Sequence, residues 1–126
     1  VFTGKLSSEE LKQEYQKANV FVLPAIVDKK GDTEGLGVVL IEAIEYGLPV
    51  VASNVGGIPD VIINEQTGLL VEAKNSDALV DAFLKLEEDT ALSQKLVSGA
   101  RDHIRKYFSW DPIIKNQMEV YKSVLK

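Results

Sequence analysis

Two glutamates separated by seven residues stand in an apolar stretch of the chain, residues 32–53 (DTEGLGVVLIEAIEYGLPVVAS). Glu34 lies in a glycine-containing loop before a predicted helix, and Glu42 lies more than one turn inside that helix. Glycine lets the backbone approach a ligand closely, and the free amide N–H groups of a helix start attract an anion such as a diphosphate. A carboxylate accepts hydrogen bonds from the vicinal hydroxyls of a sugar or a ribose. These residues therefore suit a ligand that joins a sugar, a diphosphate and a ribose.

A second interpretation of the same residues involves no ligand. Glu42 and Glu45 are three positions apart and would form a solvent-exposed stripe on the helix, with Glu34 as an ordinary loop charge. For a single exposed glutamate this second interpretation is the better one, but the apolar residues around Glu42 and the glycines beside Glu34 add weight to the ligand-binding interpretation. Spacing alone leaves the two interpretations evenly matched.

The composition of the chain excludes several classes of function. The length of 126 residues suffices for one domain with a core, and a net charge of −5 without clustered Lys and Arg argues against nucleic acid. The chain has no cysteine and one histidine, His103, which excludes thiolate and histidine-cluster metal sites. We interpret His103 as a surface residue. No stretch approaches the roughly 20 apolar residues of a membrane span and no signal peptide is visible, so we predict a cytoplasmic protein.

Short apolar strands alternate with helices, which predicts an α/β fold with a parallel sheet. Predicted strands cover residues 1–3, 19–24 and 49–53 and part of residues 65–72. The strands at 19–24 and 49–53 have the continuous apolar pattern of strands buried on both faces. Loops at the carboxyl ends of parallel strands meet at one edge of the sheet, where ligands bind. Because the chain opens in mid-strand and without Met, we expect it to be part of a longer protein.

Helix-start and helix-stop signals divide the rest of the chain. Ser7 and Glu10 have the spacing of a capping box, and Gly47 suits the end of the helix at 38–46. Pro59 fits the first turn of a short helix, and Asn75 or Ser76 caps the next. Two further helices cover residues 90–108 and 110–126, the second capped by Ser109.

Apolar side chains indicate how the later helices pack. The helix at 76–89 is expected to bury Leu79, Val80, Phe83, Leu84 and Leu86. Three aromatic residues at the following helix junction are expected to form a packing plug rather than a sugar platform: Tyr107, Phe108 and Trp110. The last helix carries an apolar stripe suited to docking: Ile113, Ile114, Met118, Tyr121 and Leu125.

The stretch EGLGVVLIEAIEYGLPVVAS, followed by GGIPDVI and GLLV, resembles the donor-binding half of the retaining GT-B glycosyltransferases of the group 1, or family 4, type. The shared motifs are the pair of glutamates (Glu34 and Glu42), the G-x-P-V-V-A strand entry (residues 47–52) and a glycine turn (Gly56 and Gly57). The resemblance extends over essentially all 126 residues. Asp60 departs from it, because the family has Glu at that place in the turn.

The resemblance implies a fold and a set of donor-binding residues. The fold is a Rossmann-like, doubly wound parallel sheet, here lacking the first two strands of the domain. Glu34 would be the catalytic residue, which contacts hydroxyls of the donor sugar and acts by positioning and electrostatics, and Glu42 would bind the ribose. The other implied donor-binding residues are Gly35, Leu36, Gly37 and Val38, whose backbone would meet the sugar and diphosphate, and Lys5 and Leu6 near the nucleobase.

The resemblance also implies a reaction, in which the sugar of a UDP-, GDP- or ADP-sugar passes to an acceptor hydroxyl with retained configuration and without a metal or other cofactor. It places the chain in polysaccharide biosynthesis, in a cytoplasmic or membrane-peripheral protein. Residues 1–126 would be one partial domain, without the N-terminal acceptor domain and without the basic residues that hold the diphosphate. We therefore expect the chain alone to be inactive and to bind nucleotides weakly. The sheet edge left unpaired could join a second copy in a homo-oligomer.

Three other functions fit the pattern less well. A dinucleotide-binding dehydrogenase domain needs a glycine fingerprint after its first strand and an acidic residue at the end of its second, and these 126 residues contain neither, although both belong to a segment expected before residue 1. A signalling receiver needs an acidic cluster at a strand end and a lysine after a later strand, and neither is present. The remaining alternative is a non-catalytic Rossmann-like nucleotide-binding or interaction module.

Overall fold

The computed structural model describes residues 1–125, and Lys126, the last residue of the predicted final helix, lies outside this range. Every predicted helix is present within the described part of the chain. In chain order the elements are α1 (Ser8–Lys17), β1 (Phe21–Leu23), α2 (Val38–Glu45), β2 (Val50–Ser53), α3 (Ile58–Val61), β3 (Leu69–Val71), α4 (Ser76–Glu88), α5 (Thr90–Tyr107) and α6 (Trp110–Val124).

The three strands form one parallel sheet in the order β1-β2-β3, which confirms the predicted α/β class. Phe21 pairs with Val50, and Val51 pairs with Leu69. All four residues of the central strand β2 are buried. The prediction that the strand at 19–24 is buried on both faces is wrong, because β1 lies at the edge of the sheet and its residues are half-buried.

The predicted strand at residues 1–3 is also wrong. This segment has no regular secondary structure, and the side chains of Val1 and Phe2 are fully exposed. A β-strand is stabilised by hydrogen bonds to a neighbouring strand. Within residues 1–125 no strand lies beside this segment, so its apolar sequence does not produce a strand.

Helices cover both faces of the sheet, as in a doubly wound fold. Neighbouring residues of β2 point to opposite faces, so Val50 and Ala52 join one apolar cluster and Val51 joins the other. The first cluster includes buried residues of α2, α3 and α5, and the second includes buried residues of α4 and α5. The sheet therefore forms the centre of the fold and fixes the loops at its carboxyl edge.

Two helix starts follow the predicted caps. At α1 the Ser7 backbone N–H donates to Glu10 Oε2 over 2.8 Å, and the Glu10 N–H donates to Ser7 Oγ, which completes the capping box. Asn75 rather than Ser76 caps α4, by accepting a hydrogen bond from the Ala78 N–H. The predicted inner face of α4 is wrong at two positions, since Val80 and Leu84 are exposed.

The C-terminal helices differ from prediction in detail. Trp110 is 77% exposed, so it is not part of a packing plug, whereas Phe108 packs against the core. Ser109 does not cap α6 with its side chain, because its hydroxyl donates to the Arg105 carbonyl instead.

His103 is half-buried rather than on the open surface, and its Nε2 lies 2.9 Å from the Asp60 carbonyl oxygen. The stripe on α6 is exposed, as a docking surface requires.

Candidate functional site

The junction between the loop after β1 and helix α2 places Glu34 at a helix N-terminus. Gly37 is the N-cap of α2 in a left-handed conformation, with φ at +74°, which glycine adopts without strain. The Gly37 N–H donates to Glu34 Oε1 over 3.2 Å. No described side chain caps the helix itself, so the N–H groups of Val38 and Val39 at the first turn are available to a ligand. The positive end of the helix dipole therefore lies next to a half-buried carboxylate.

The glycine turn after β2 contacts the loop before α2 through backbone atoms. The Gly57 N–H donates to the Glu34 carbonyl oxygen over 3.4 Å. A Cβ atom on Gly56 would overlap that same oxygen, and one on Gly57 would overlap the Gly35 carbonyl oxygen. The two loops therefore approach each other through their backbones, which only glycine permits at these two positions.

Glu42 lies in the second turn of α2 with its side chain exposed. Its Oε2 accepts a hydrogen bond from the hydroxyl of Tyr15, over 3.2 Å. The Tyr15 ring is stacked on the Tyr46 ring, with centroids 4.9 Å apart and planes 7° from parallel. Burial of the ring, followed by the hydrogen bond to Glu42, raises the pKa of Tyr15 to about 12. Sequence reasoning missed the contact between Tyr15 and Glu42, which joins two different helices.

The structure brings some of the predicted site residues together. Glu34, Gly35, Leu36, Gly37 and Val38 form one continuous junction at the carboxyl edge of the sheet, where Leu36 and Val38 expose apolar surface. Glu42 shares helix α2 with this junction, but its hydrogen bond is to α1.

The other two predicted residues lie apart from the junction. Lys5 and Leu6 precede α1, with Lys5 exposed and Leu6 half-buried. Within residues 1–125 no side-chain hydrogen bond joins either of them to the two glutamates. A nearby cavity of about 250 Å³ at the sheet edge is lined by Pro24, Ser53, Lys74 and neighbouring residues and includes neither glutamate.

The junction combines unpaired backbone N–H donors at a helix start with a carboxylate acceptor. Backbone N–H groups at a helix start favour a phosphate or diphosphate, and carboxylates accept hydrogen bonds from sugar hydroxyls. Across residues 1–125 no three acidic or histidine side chains are grouped in a way that could hold a metal ion. None of the described helices is both long and apolar enough to cross a bilayer.

Comparisons with known proteins identify the family. The chain is 34% identical over 113 residues to a GDP-mannose-dependent alpha-(1-6)-phosphatidylinositol monomannoside mannosyltransferase of Mycobacterium tuberculosis, covering 89% of this chain and 29% of that protein. It is 38% identical over 110 residues to a sulfoquinovosyl transferase of Arabidopsis thaliana, covering 85% of this chain and 20% of that protein. The chain thus spans less than a third of the length of these relatives.

Comparison of the fold with solved structures also points to glycosyltransferases. The structure matches that of a sucrose-phosphate synthase from Thermosynechococcus elongatus with a TM-score of 0.78 and 33% identity, covering 99% of this chain and 30% of that one. This confirms the expected GT-B fold. Residues 1–103 match the sequence model of the glycosyl transferases group 1. The chain belongs to the group 1 glycosyl transferases, as its resemblance to them predicted.

Proposed function

We propose that the protein containing this chain transfers a sugar from a nucleotide-diphosphate sugar to an acceptor hydroxyl, with retained configuration at the anomeric carbon. The observation that supports this proposal is the Glu34 carboxylate held at the uncapped N-terminus of α2, beside amides that can bind a diphosphate. A relative at 34% identity is named as GDP-mannose-dependent, which supports a nucleotide sugar as the donor class. The donor is a UDP-, GDP- or ADP-sugar.

In this proposal each predicted residue has one role. The Gly37 N–H holds Glu34 Oε1, which leaves Oε2 for a hydroxyl of the donor sugar. The backbone of Gly35, Leu36, Gly37 and Val38 binds the sugar and the diphosphate. Glu42 accepts the ribose hydroxyls. Lys5 and Leu6 contact the nucleobase.

The proposed chemistry depends on charge stabilisation and positioning. Negative charge accumulates on the diphosphate as it leaves, and an oxocarbenium-like sugar remains behind. Fixed amide dipoles at the start of α2, together with basic groups elsewhere in the protein, stabilise the leaving group without a metal. Glu34 orients the sugar and stabilises its positive charge, and does not attack it.

Several properties of the whole protein belong to this proposal. Residues 1–126 form one partial domain, and the acceptor-binding domain lies elsewhere in the protein. The chain alone is inactive. A homo-oligomer formed through the β1 edge and a cytoplasmic or membrane-peripheral location stay predictions, which analytical ultracentrifugation and cell fractionation would check.

The proposal is tested by turnover of the full-length protein with GDP-mannose, UDP-glucose and ADP-glucose. Replacing Glu34 by Ala should lower kcat by roughly 100-fold or more, the size of effect seen when one group that stabilises the transition state is removed. The matched control is Glu45→Ala, an exposed glutamate on the same helix, which should turn over like wild type. Wild-type turnover by Glu34→Ala would contradict the proposal, and no turnover of any of the three sugars by the unchanged protein would exclude them as donors.

A further inference from the structure

Tyr15 joins helix α1 to the exposed carboxylate of Glu42 on helix α2. Only 7% of Tyr15 is exposed, and its hydroxyl lies 3.2 Å from Glu42 Oε2. The ring is held by Tyr46, stacked at 4.9 Å, and by Phe21, with centroids 5.8 Å apart. The hydroxyl is therefore fixed in place by packing on both helices and on strand β1.

This hydroxyl acts on Glu42 as a hydrogen-bond donor. The phenol is protonated at neutral pH, and burial and the neighbouring carboxylate raise the pKa of Tyr15 further, to about 12. An exposed glutamate side chain otherwise samples many rotamers, and ordering it costs conformational entropy when a ligand binds. The contact with Tyr15 restricts Glu42 before any ligand arrives.

One hydrogen bond leaves most of the carboxylate free. An ionised carboxylate has about four acceptor sites on its two oxygens, and Tyr15 occupies one of them. The remaining sites suffice for two hydroxyl donors on neighbouring carbons. A ribose presents such a pair, at its 2′ and 3′ positions.

We propose that Tyr15 is a positioning residue for ribose recognition, which fixes the Glu42 carboxylate so that it accepts both ribose hydroxyls of the nucleotide. This inference rests on the proposed function, in which Glu42 binds the ribose. Tyr15 does not touch the nucleotide and acts through Glu42. Its contribution therefore depends on the presence of the ribose hydroxyls.

The test is isothermal titration of the full-length protein with GDP and UDP, and with the 2′,3′-dideoxy form of each. Tyr15→Phe keeps the packed ring and removes the hydroxyl, and should weaken binding of the ribonucleotide about fivefold, because the Glu42 side chain must then be ordered when the nucleotide binds. Its affinity for the dideoxy form should equal that of wild type. Tyr46→Phe keeps the stacked ring and serves as the matched control, with wild-type affinity for both forms. Thermal unfolding of each variant verifies that it is folded.

The outcomes separate the two proposals. Glu42→Gln should weaken binding of the ribonucleotide by roughly 10- to 100-fold, because a charged acceptor is lost. If this variant binds the ribonucleotide like wild type, the role of Glu42 in the proposed function is wrong. If Glu42→Gln has this effect but Tyr15→Phe binds like wild type, the positioning role alone is wrong. Equal weakening of the ribo and dideoxy forms by Tyr15→Phe also overturns it, because a merely structural role predicts that result.

Discussion

Gly57 lies against the carbonyl oxygen of Gly35 so closely that a Cβ atom on Gly57 would overlap that oxygen. The contact joins the turn after β2 to the loop before α2 through their backbones. Because Glu34 precedes Gly35 in that loop, the position of the candidate catalytic carboxylate depends on a glycine from another part of the chain.

Gly57→Ala should destabilise the fold by about 1–3 kcal/mol, the usual cost of inserting a methyl group where no space exists. The φ of Gly57 is −89°, so the expected loss comes from the steric overlap and not from backbone strain. Gly35→Ala is the stability control, since a Cβ atom there meets nothing within 4 Å. Urea unfolding measures the stability of both variants. Equal midpoints for Gly57→Ala and wild type would show that the two loops can move apart without loss of stability.

Thr67→Val should destabilise the fold by about 1–3 kcal/mol, because it leaves buried backbone groups without partners. Thr67 is 4% exposed, and its Oγ1 accepts from the Ile63 N–H at 2.7 Å and donates to the Val61 carbonyl at 3.3 Å. The exposed Thr3, changed to Val, is the control and should alter stability little. A Thr67→Val variant as stable as wild type in urea would indicate that these hydrogen bonds contribute nothing net.

The stability of the wild type should fall between pH 10 and about 12 relative to that of Tyr15→Phe. Below pH 10 Tyr15 is protonated in both the folded and the unfolded chain, so its contribution is fully present. Above that pH the unfolded chain releases the proton while the folded chain keeps it, which favours unfolding by up to about 1.4 kcal/mol per pH unit. Urea unfolding across this range measures the difference, and a constant difference would mean that the pKa of Tyr15 is not raised.

The chain of 126 residues alone should show no transferase activity and bind nucleotide sugars at millimolar strength or weaker (about 4 kcal/mol of binding free energy or less). The reason is that it spans less than a third of these relatives, and the proposed function places other parts of the ligand site elsewhere in the protein. Isothermal titration with GDP-mannose and UDP-glucose, with the full-length protein as the positive control, measures this. Micromolar binding by the chain would disprove the expectation.

Treatment of the full-length protein with EDTA should leave its transferase activity unchanged, because amides and basic groups are proposed to neutralise the leaving diphosphate. The measurement is initial rate before and after chelation and again after addition of Mg²⁺ or Mn²⁺. Loss of activity that either metal restores would show that the proposed charge stabilisation is incomplete.

Local rules predicted much of this fold. The capping box of Ser7 and Glu10 and the end of α2 near Gly47 follow from a few adjacent residues, and both are present as expected. The same holds for Glu34, whose place before a glycine-containing helix start could be inferred from spacing. These features are decided by hydrogen bonds within a few residues of sequence.

Features that depend on distant partners could not be predicted in this way. Residues 1–3 have the apolar pattern of a strand, yet strand formation requires a neighbour that the local sequence does not specify. The hydrogen bond between Tyr15 and Glu42 joins two helices, and the contact of His103 with Asp60 joins α5 to α3. Such contacts arise from tertiary packing, which side-chain spacing alone does not encode.

The backbone contact between the two loops has a consequence for which residues near Glu34 can change. Carbonyl oxygens and glycines hold the segment that carries Glu34, whereas the side chains of residues 26–33 are exposed to solvent. Substitutions among these exposed side chains can therefore be accommodated without disturbing the backbone contacts that hold Glu34. Surface change in this loop and retention of the scaffold thus depend on different atoms of the chain.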